Sequence, residues 1–265
     1  MRKTEIMEEM IMNKTMRDIK TMFWRCMMVT LRTPEALVMS IAIPAILMVI
    51  FVNVFGGSMD VGDYNFANFI VPGILVNCLV QSSASTGISV NQDMTKGIIN
   101  RFRSMAISNV AFLTGHVLSA FIKTAITTTV IIGVAFLTGF RPTAGFSEWL
   151  LIISLIVLFV FAVTWLSVWL GVFLKDSESV GGIIQLLAVL VFLSPGMAPT
   201  ETMPRILRYF AENQPMASFI NCLRALMNGY EIYGNDLKLA LLWWGGILVV
   251  MFVATIKAYQ KKLTV

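Results

Sequence analysis

WLLIISLIVLFVFAVTWLSVWLGVFL, Trp149–Leu174, runs 26 residues without a charged side chain. At 1.5 Å per residue a helix of that length reaches about 39 Å, more than the roughly 30 Å of bilayer hydrocarbon. Similar charge-free runs stand at Leu37–Phe55, Asn68–Val90, Ala111–Phe140 (broken only by Lys123), Val180–Met197 and Leu239–Ile256. The composition agrees with them: of 265 residues 57% are apolar and only 13% charged. Soluble domains carry about twice that charge, and disordered chains need low hydrophobicity. The reading is an all-α polytopic membrane protein with six transmembrane helices and no room for a separate soluble catalytic domain.

Lysine and arginine orient the bundle. With both termini cytoplasmic, fourteen basic residues fall inside, among them Arg17, Lys20, Arg25, Arg32, Lys96, Arg101, Arg103, Lys175 and Lys257. Five fall outside: Arg141, Arg205, Arg208, Arg224 and Lys238. This asymmetry favours a multi-pass protein of a prokaryotic inner or plasma membrane with N and C termini in the cytoplasm. The +5 net charge is therefore topology, and no base-reading motif makes nucleic acid a partner. Met1–Met12 leads into no apolar core with a cleavage site, so no removable signal peptide is expected. Cys26, Cys78 and Cys222 lack metal-type spacing and are odd in number, against a disulfide framework.

The connections carry their own patterns. Residues 14–32 place Met16, Ile19, Phe23 and Met27 at helical spacing, with Lys14, Arg17, Asp18, Lys20 and Arg25 mainly elsewhere; this is an interfacial helix, ended by Thr33-Pro34. Pro44 and Pro72 remove donors inside the first and second spans and leave carbonyls for neighbours to satisfy. Gly181 and Gly182 permit close helix approach. Residues 198–229 read as two short extracellular helices, Glu201–Tyr209 and Pro215–Gly229, broken at Asn213-Gln214-Pro215. Asn77, Gln81 and Ser85 recur on one face of the second span as a polar seam. Lys123 is an ionisable group near membrane depth, for snorkelling, pairing or transport, and His116 precedes it by two turns as a neutral packing residue.

The loop Asn91–Ser108, NQDMTKGIINRFRSMAIS, mixes Asp93, Lys96, Arg101 and Arg103 with Ile98, Ile99 and Phe102. Asp93 or Thr95 could cap a short helix here and Ser108 the next. Such a compact charged element suits seating in a partner's cleft, or membrane anchoring. Its Gly97, Arg101, Arg103, Ser104, Ile107 and Ser108 closely resemble the signature of type-2 ABC exporter permeases. Lys96 stands where many relatives carry Glu or Arg, and Ala106 where they usually carry Pro. A second resemblance follows the fifth span: Leu193-Ser194-Pro195, Met203-Pro204, Asn213-Gln214-Pro215 with Gln214 interrupting the usual Asn-Pro, and Arg224-Ala225-Leu226 before Gly229. Within that family the chain looks like the daunorubicin-type drug and natural-product exporter permeases, over nearly its full length.

The resemblance implies that 1–265 is a single type-2 transmembrane domain. It would work with a second, identical or different, permease subunit, with identity expected, and with two ABC ATPase subunits. Residues 91–108 would be the main coupling loop, with Asp93, Lys96, Gly97, Arg101, Phe102, Arg103 and Ser104 as its contacts. Asp176, in Lys175–Ser179, would add a smaller one. Spans one and five would approach their counterparts, which selects Met48, Phe51, Phe55, Gln185, Leu187 and Phe192 for the substrate path, with Asn77 and Gln81 added from the polar seam of the second span. No phosphate-binding GxxxxGKS/T loop occurs in the chain, so no cofactor and no catalytic or metal residue is expected here; ATP and Mg belong to the partner ATPase. The cargo expected is an amphiphilic drug, antibiotic or natural product. Lipid, glycolipid or polysaccharide export is the alternative cargo, and a non-transporting sensor or assembly subunit the alternative class.

Overall fold

The structure, a computed structural model, describes residues 2–57, 65–97 and 109–264, and those residues are helical apart from their connections. The helices are α1 (Arg2–Arg32), α2 (Pro34–Ile50, extended by a π turn over Phe51–Phe55), α3 (Phe66–Thr95), α4 (Asn109–Leu137), α5 (Phe146–Phe173), α6 (Ser177–Phe192), α7 (Arg205–Asn213), α8 (Pro215–Met227) and α9 (Asp236–Thr264). Five of them are long and apolar enough to cross a membrane: α2 with its π turn, α3, α4, α5 and α9. The protein is thus a polytopic helical membrane protein with about five such spans. The expected sixth, Val180–Met197, is shorter than its apolar run. As a helix it covers Ser177–Phe192, 16 residues or about 24 Å. Beyond it the chain turns, with Gly196 packed so closely on Gly73 that a Cβ on Gly73 would meet the Gly196 carbonyl at 2.3 Å.

α3 is the centre: 89% of its most apolar window is buried, against 11% for α2 and 17% for α9. α2, α4, α5 and α6 pack round it, α8 closes one end, α9 lies on the outer side of α5, and α1 docks on α4. Glycine sets the α3–α5 distance. A Cβ on Gly171 would meet the Gly87 carbonyl at 2.3 Å, and one on Gly87 the Ser167 carbonyl at 2.4 Å. The expected contact glycine Gly182 meets nothing within 4 Å, because it lies on the outward face of α6. Gly115 performs the same service for α1, admitting Met22 against α4.

Both buried-helix prolines leave a carbonyl that a neighbour serves. Pro44 cannot donate to Ser40, whose carbonyl accepts a weak bond from Cys78 Sγ of α3 at 3.9 Å. Pro72 cannot donate to Asn68, whose carbonyl accepts from Asn228 Nδ2 at 3.4 Å. The interfacial helix expected over 14–32 ends as expected at Arg32, with Thr33 outside the helix and Pro34 opening α2, but begins at Arg2.

Candidate coupling end and translocation face

α3 does not stop at the membrane limit expected near Val90; it continues to Thr95. Asp93 and Thr95 are therefore inside a helix and cap no new one. Thr95 Oγ1 instead donates back to the Asn91 carbonyl at 2.9 Å. The Lys96 N–H bonds the Gln92 carbonyl at 3.0 Å, and Gly97 turns the chain away at φ +70°, a left-handed conformation that favours glycine. Lys96 is exposed there. Arg101, Phe102, Arg103 and Ser104 lie outside the described residues, as does the rest of 98–108.

Two buried side chains on this last turn tie three other helices to α3. Asn91 Nδ2 donates to the carbonyls of Gly171 (3.0 Å) and Leu174 (2.9 Å), holding the end of α5. Asp93 accepts from Arg25 Nη1 at 2.7 Å and Nη2 at 2.9 Å, and lies 3.1 Å from His116 Nε2, which donates to it. One carboxylate thus gathers α1, α3 and α4. Its hydrogen bonds raise the pKa of Arg25 above the ordinary guanidinium value. Phe112 meets the His116 ring edge-on, and Tyr259 of α9 stacks on Phe112.

Asp176 caps α6. Its Oδ1 accepts the Ser179 N–H at 2.7 Å and its Oδ2 the Ser179 hydroxyl at 3.0 Å. The Ser179 backbone bond holds this exposed carboxyl below the usual aspartate range. Asp176 stands two residues after Leu174, whose carbonyl Asn91 grips.

The expected path residues fall in two sets joined through α3. On α2, Met48 is fully buried while Phe51 and Phe55 are half-buried, their rings 5.2 Å apart. On α6, Gln185 and Phe192 are exposed; Leu187 lines an apolar cavity of about 550 Å³ with Tyr209, Phe210, Trp243 and Trp244. Between them buried Asn77 donates to the Ala188 carbonyl of α6 at 3.3 Å, and Gln81 is half-buried. Ser85 of the expected polar seam accepts from Lys123 Nζ of α4 at 3.2 Å; next to the seam, Ser82 meets Thr124 at 3.0 Å, and Thr164 donates to Ser83 at 3.4 Å.

At the opposite end, the Arg224 of the second motif is buried. Its Nε donates to the Phe69 carbonyl at 3.0 Å, its Nη2 to the Pro195 carbonyl, and its guanidinium carbon lies 3.9 Å above the Phe69 ring. The interrupting Gln214 opens α8 and donates to the Leu193 carbonyl at 2.7 Å. The short helices expected over 198–229 are α7 and α8; the first starts four residues late, behind a 3₁₀ turn at Thr200–Thr202.

Sequence reasoning missed the Arg25–Asp93–His116 cluster. Arg25 read as a headgroup contact, Asp93 as a cap and His116 as neutral packing. The available signal was that a carboxylate and the single histidine both stood within two turns of a span's end, with an arginine on the preceding amphipathic segment. Among the described residues, no group of three or more His, Cys, Asp or Glu is placed to hold a metal ion, and no cofactor-binding residues are found.

The bundle of long apolar helices is that of a polytopic membrane protein. Residues 17–228 match the family model described as ABC-2 type transporter, and the chain belongs to that family. It is 31% identical over 245 residues to "Daunorubicin resistance ABC transporter permease protein DrrB1" of Streptomyces coeruleorubidus, covering 91% of this chain and 86% of that one. It is 24% identical over 226 residues to "Probable doxorubicin resistance ABC transporter permease protein DrrC" of Mycobacterium tuberculosis, covering 85% and 82%. The protein is a membrane permease subunit of an ABC exporter, the non-enzymatic part of it. Family membership implies pairing with an ABC ATPase and with a second permease subunit.

Proposed function

We propose that this permease exports amphiphilic drugs, antibiotics or natural products, powered by ATP and Mg on two partner ABC ATPases. The observation that carries the reading is 31% identity, across 91% of the chain, to a permease named for daunorubicin resistance. Two identical copies form the path. The N and C termini are cytoplasmic, α1 lies along the cytoplasmic headgroups, α6 is a sixth, short span, and α7 and α8 cover the outer mouth. The distribution of Lys and Arg supports this orientation. Residues 91–108 form the coupling loop, and Asp176 lies on a second contact.

The Asn91 bonds support coupling of both contacts to one movement. Because Asn91 grips Gly171 and Leu174, a push delivered beyond Gly97 is shared by the end of α5 and by the turn that Asp176 caps. α2 and α6 flank α3 and carry exposed apolar rows, Val38, Met39, Ile43 and Ile46 on one and Ile183, Leu186 and Val189 on the other. These rows suit a subunit contact along which an amphiphile passes, with Met48, Phe51, Phe55, Asn77, Gln81, Gln185, Leu187 and Phe192 beside it.

The test is uptake of fluorescent amphiphiles into inverted vesicles containing the permease and its ATPase. Uptake that needs ATP and stops when the lysine of the ATPase phosphate loop is replaced supports the reading. Powered movement of labelled lipid or glycan without amphiphile uptake transfers the cargo to that class. A stable complex that moves none of them overturns export.

A further inference from the structure

Lys123 sits in the middle of α4, 9% exposed. Its Nζ donates to Ser85 Oγ at 3.2 Å, and no ion pair reaches it among the described residues. An ammonium has three N–H donors. A charge withdrawn from water costs several kcal/mol unless it is paired and hydrogen-bonded. The described protein therefore supplies one acceptor where three are wanted, and supplies no counter-charge.

Lys123 also faces space. A cavity of about 60 Å³ lies between α1, α2, α3 and α4, and one of about 80 Å³ adjoins it. The two share Val29, Thr30, Ser89 and Lys123, so they meet at the ammonium. Hydroxyls of Thr33, Ser40 and Ser82 line the first. Thr86 lines the second, and its buried Oγ1 has no hydrogen-bond partner among the described residues. The second cavity also holds Arg25, His116 and one carboxylate, Asp93, which both of them already engage. The balance around this space is positive; Thr30, Thr33, Ser40 and Ser89 already donate their hydroxyls to backbone carbonyls of their own helices, so among the described residues the donors left to fill are the Lys123 ammonium and the Thr86 hydroxyl.

We propose that Lys123 is the anchor of a binding site for a phosphate-bearing anion, entered at the α1–α2 corner. A buried ammonium with unfilled N–H donors and a hydroxyl beside it is a recognition chemistry for a phosphate group. The position favours a lipid source. α1 carries Arg17, Lys20, Arg25 and Arg32, while the chain from residue 36 to 59 is uncharged, so the polar-to-apolar boundary falls at Thr33 and Leu37, which line the first cavity. Basic pockets between helices at that level hold anionic head groups. The site is independent of what the transporter exports.

The experiment uses the full chain, delipidated in a maltoside detergent that contains no phosphate. Its melting temperature is followed on adding phosphatidylglycerol, diacylglycerol or inorganic phosphate. Phosphatidylglycerol raises it in the wild type, since a ligand of the folded state stabilises by mass action. Diacylglycerol does not. Lys123→Gln abolishes the rise and Lys123→Arg keeps it. If Lys123→Gln fails to fold, Thr86→Val, which removes the unpartnered hydroxyl of the second cavity, replaces it and reduces the rise. An equal, Lys123-dependent rise with inorganic phosphate assigns the same site to a free anion. A rise with diacylglycerol as large as with phosphatidylglycerol, or one unchanged in the variants, overturns the proposal.

Discussion

Arg25 and Asp93 stand 68 positions apart and meet through two hydrogen bonds, 2.7 and 2.9 Å, one from each terminal nitrogen of the guanidinium. The pair fastens α1 to the turn from which the first basic loop departs. Asp93→Ala removes both of these Arg25 bonds and the His116 contact. Breaking a fully buried pair costs about 3–5 kcal/mol. With the Arg25 side chain 30% exposed, about 2 kcal/mol is expected. Thermal unfolding in detergent measures it. Arg25→Lys, which keeps the charge and loses the two-pronged bond, falls between wild type and Asp93→Ala.

Gly171→Ala pushes α5 away from α3, because the added carbon meets a backbone carbonyl that cannot rotate aside. A loss of about 1–3 kcal/mol is expected, as for overpacked cores. Gly182→Ala, whose carbon meets nothing within 4 Å, leaves stability nearly unchanged. Equal melting temperatures for the two variants would contradict the packing described.

Arg224→Lys keeps the cation but loses the planar fork that reaches two carbonyls. α8 is then held less firmly. Cys222 on the same helix reports the change: in the wild type it is buried, and burial pushes its thiol up to about 12, so little reactive thiolate forms. Maleimide labelling of Cys222 is expected to be slow in the wild type and several-fold faster in Arg224→Lys. Identical rates would sink this account.

Asp176 has its carboxyl lowered by the Ser179 bonds, so the ionised form is favoured in the folded chain. The sign follows: its contribution is complete above the ordinary aspartate range and disappears as pH falls through the lowered value. Hydrogen exchange over residues 177–180 should be faster in Asp176→Ala than in wild type at neutral pH. The difference should close in acid. Asp176→Asn, which still accepts the Ser179 N–H but cannot titrate, should resemble wild type at neutral pH and keep its protection in acid.

Replacing Arg101 and Arg103 together by alanine should leave membrane insertion unchanged and reduce transport several-fold when the ATPase is present. Normal transport in the double variant would remove the basic loop from the coupling role.

Apolar runs made the long helices legible to within a few residues at most ends, since a chain in lipid has to satisfy its backbone internally. They were less informative where polarity does not change. α3 passes Val90 by five residues, because Asn91 and Asp93 look like loop residues until their partners at Gly171, Leu174, Arg25 and His116 are known. α6 stops at Phe192 although Leu193 and Met197 are still apolar. Arg224 and Gln214 were visible as parts of a motif, but not their purpose, since their acceptors at Phe69, Pro195 and Leu193 lie in distant sequence. Hydropathy reports one residue's medium; these bonds depend on pairs.

The Arg224 contact also orders events in time. Its acceptor on Phe69 lies 155 residues earlier in the chain, whereas Ser82 and Thr124 are 42 apart and Arg25 and Asp93 are 68 apart. A ribosome that has delivered α1 to α4 to the membrane has already supplied both members of the two shorter-range pairs. The Phe69 and Pro195 carbonyls wait for a guanidinium made near the end of synthesis. A chain truncated before Arg224 would therefore hold that end through earlier-made ties such as the two 2.9 Å bonds between Asn68 and Arg141, without the clamp that joins Phe69 to Pro195.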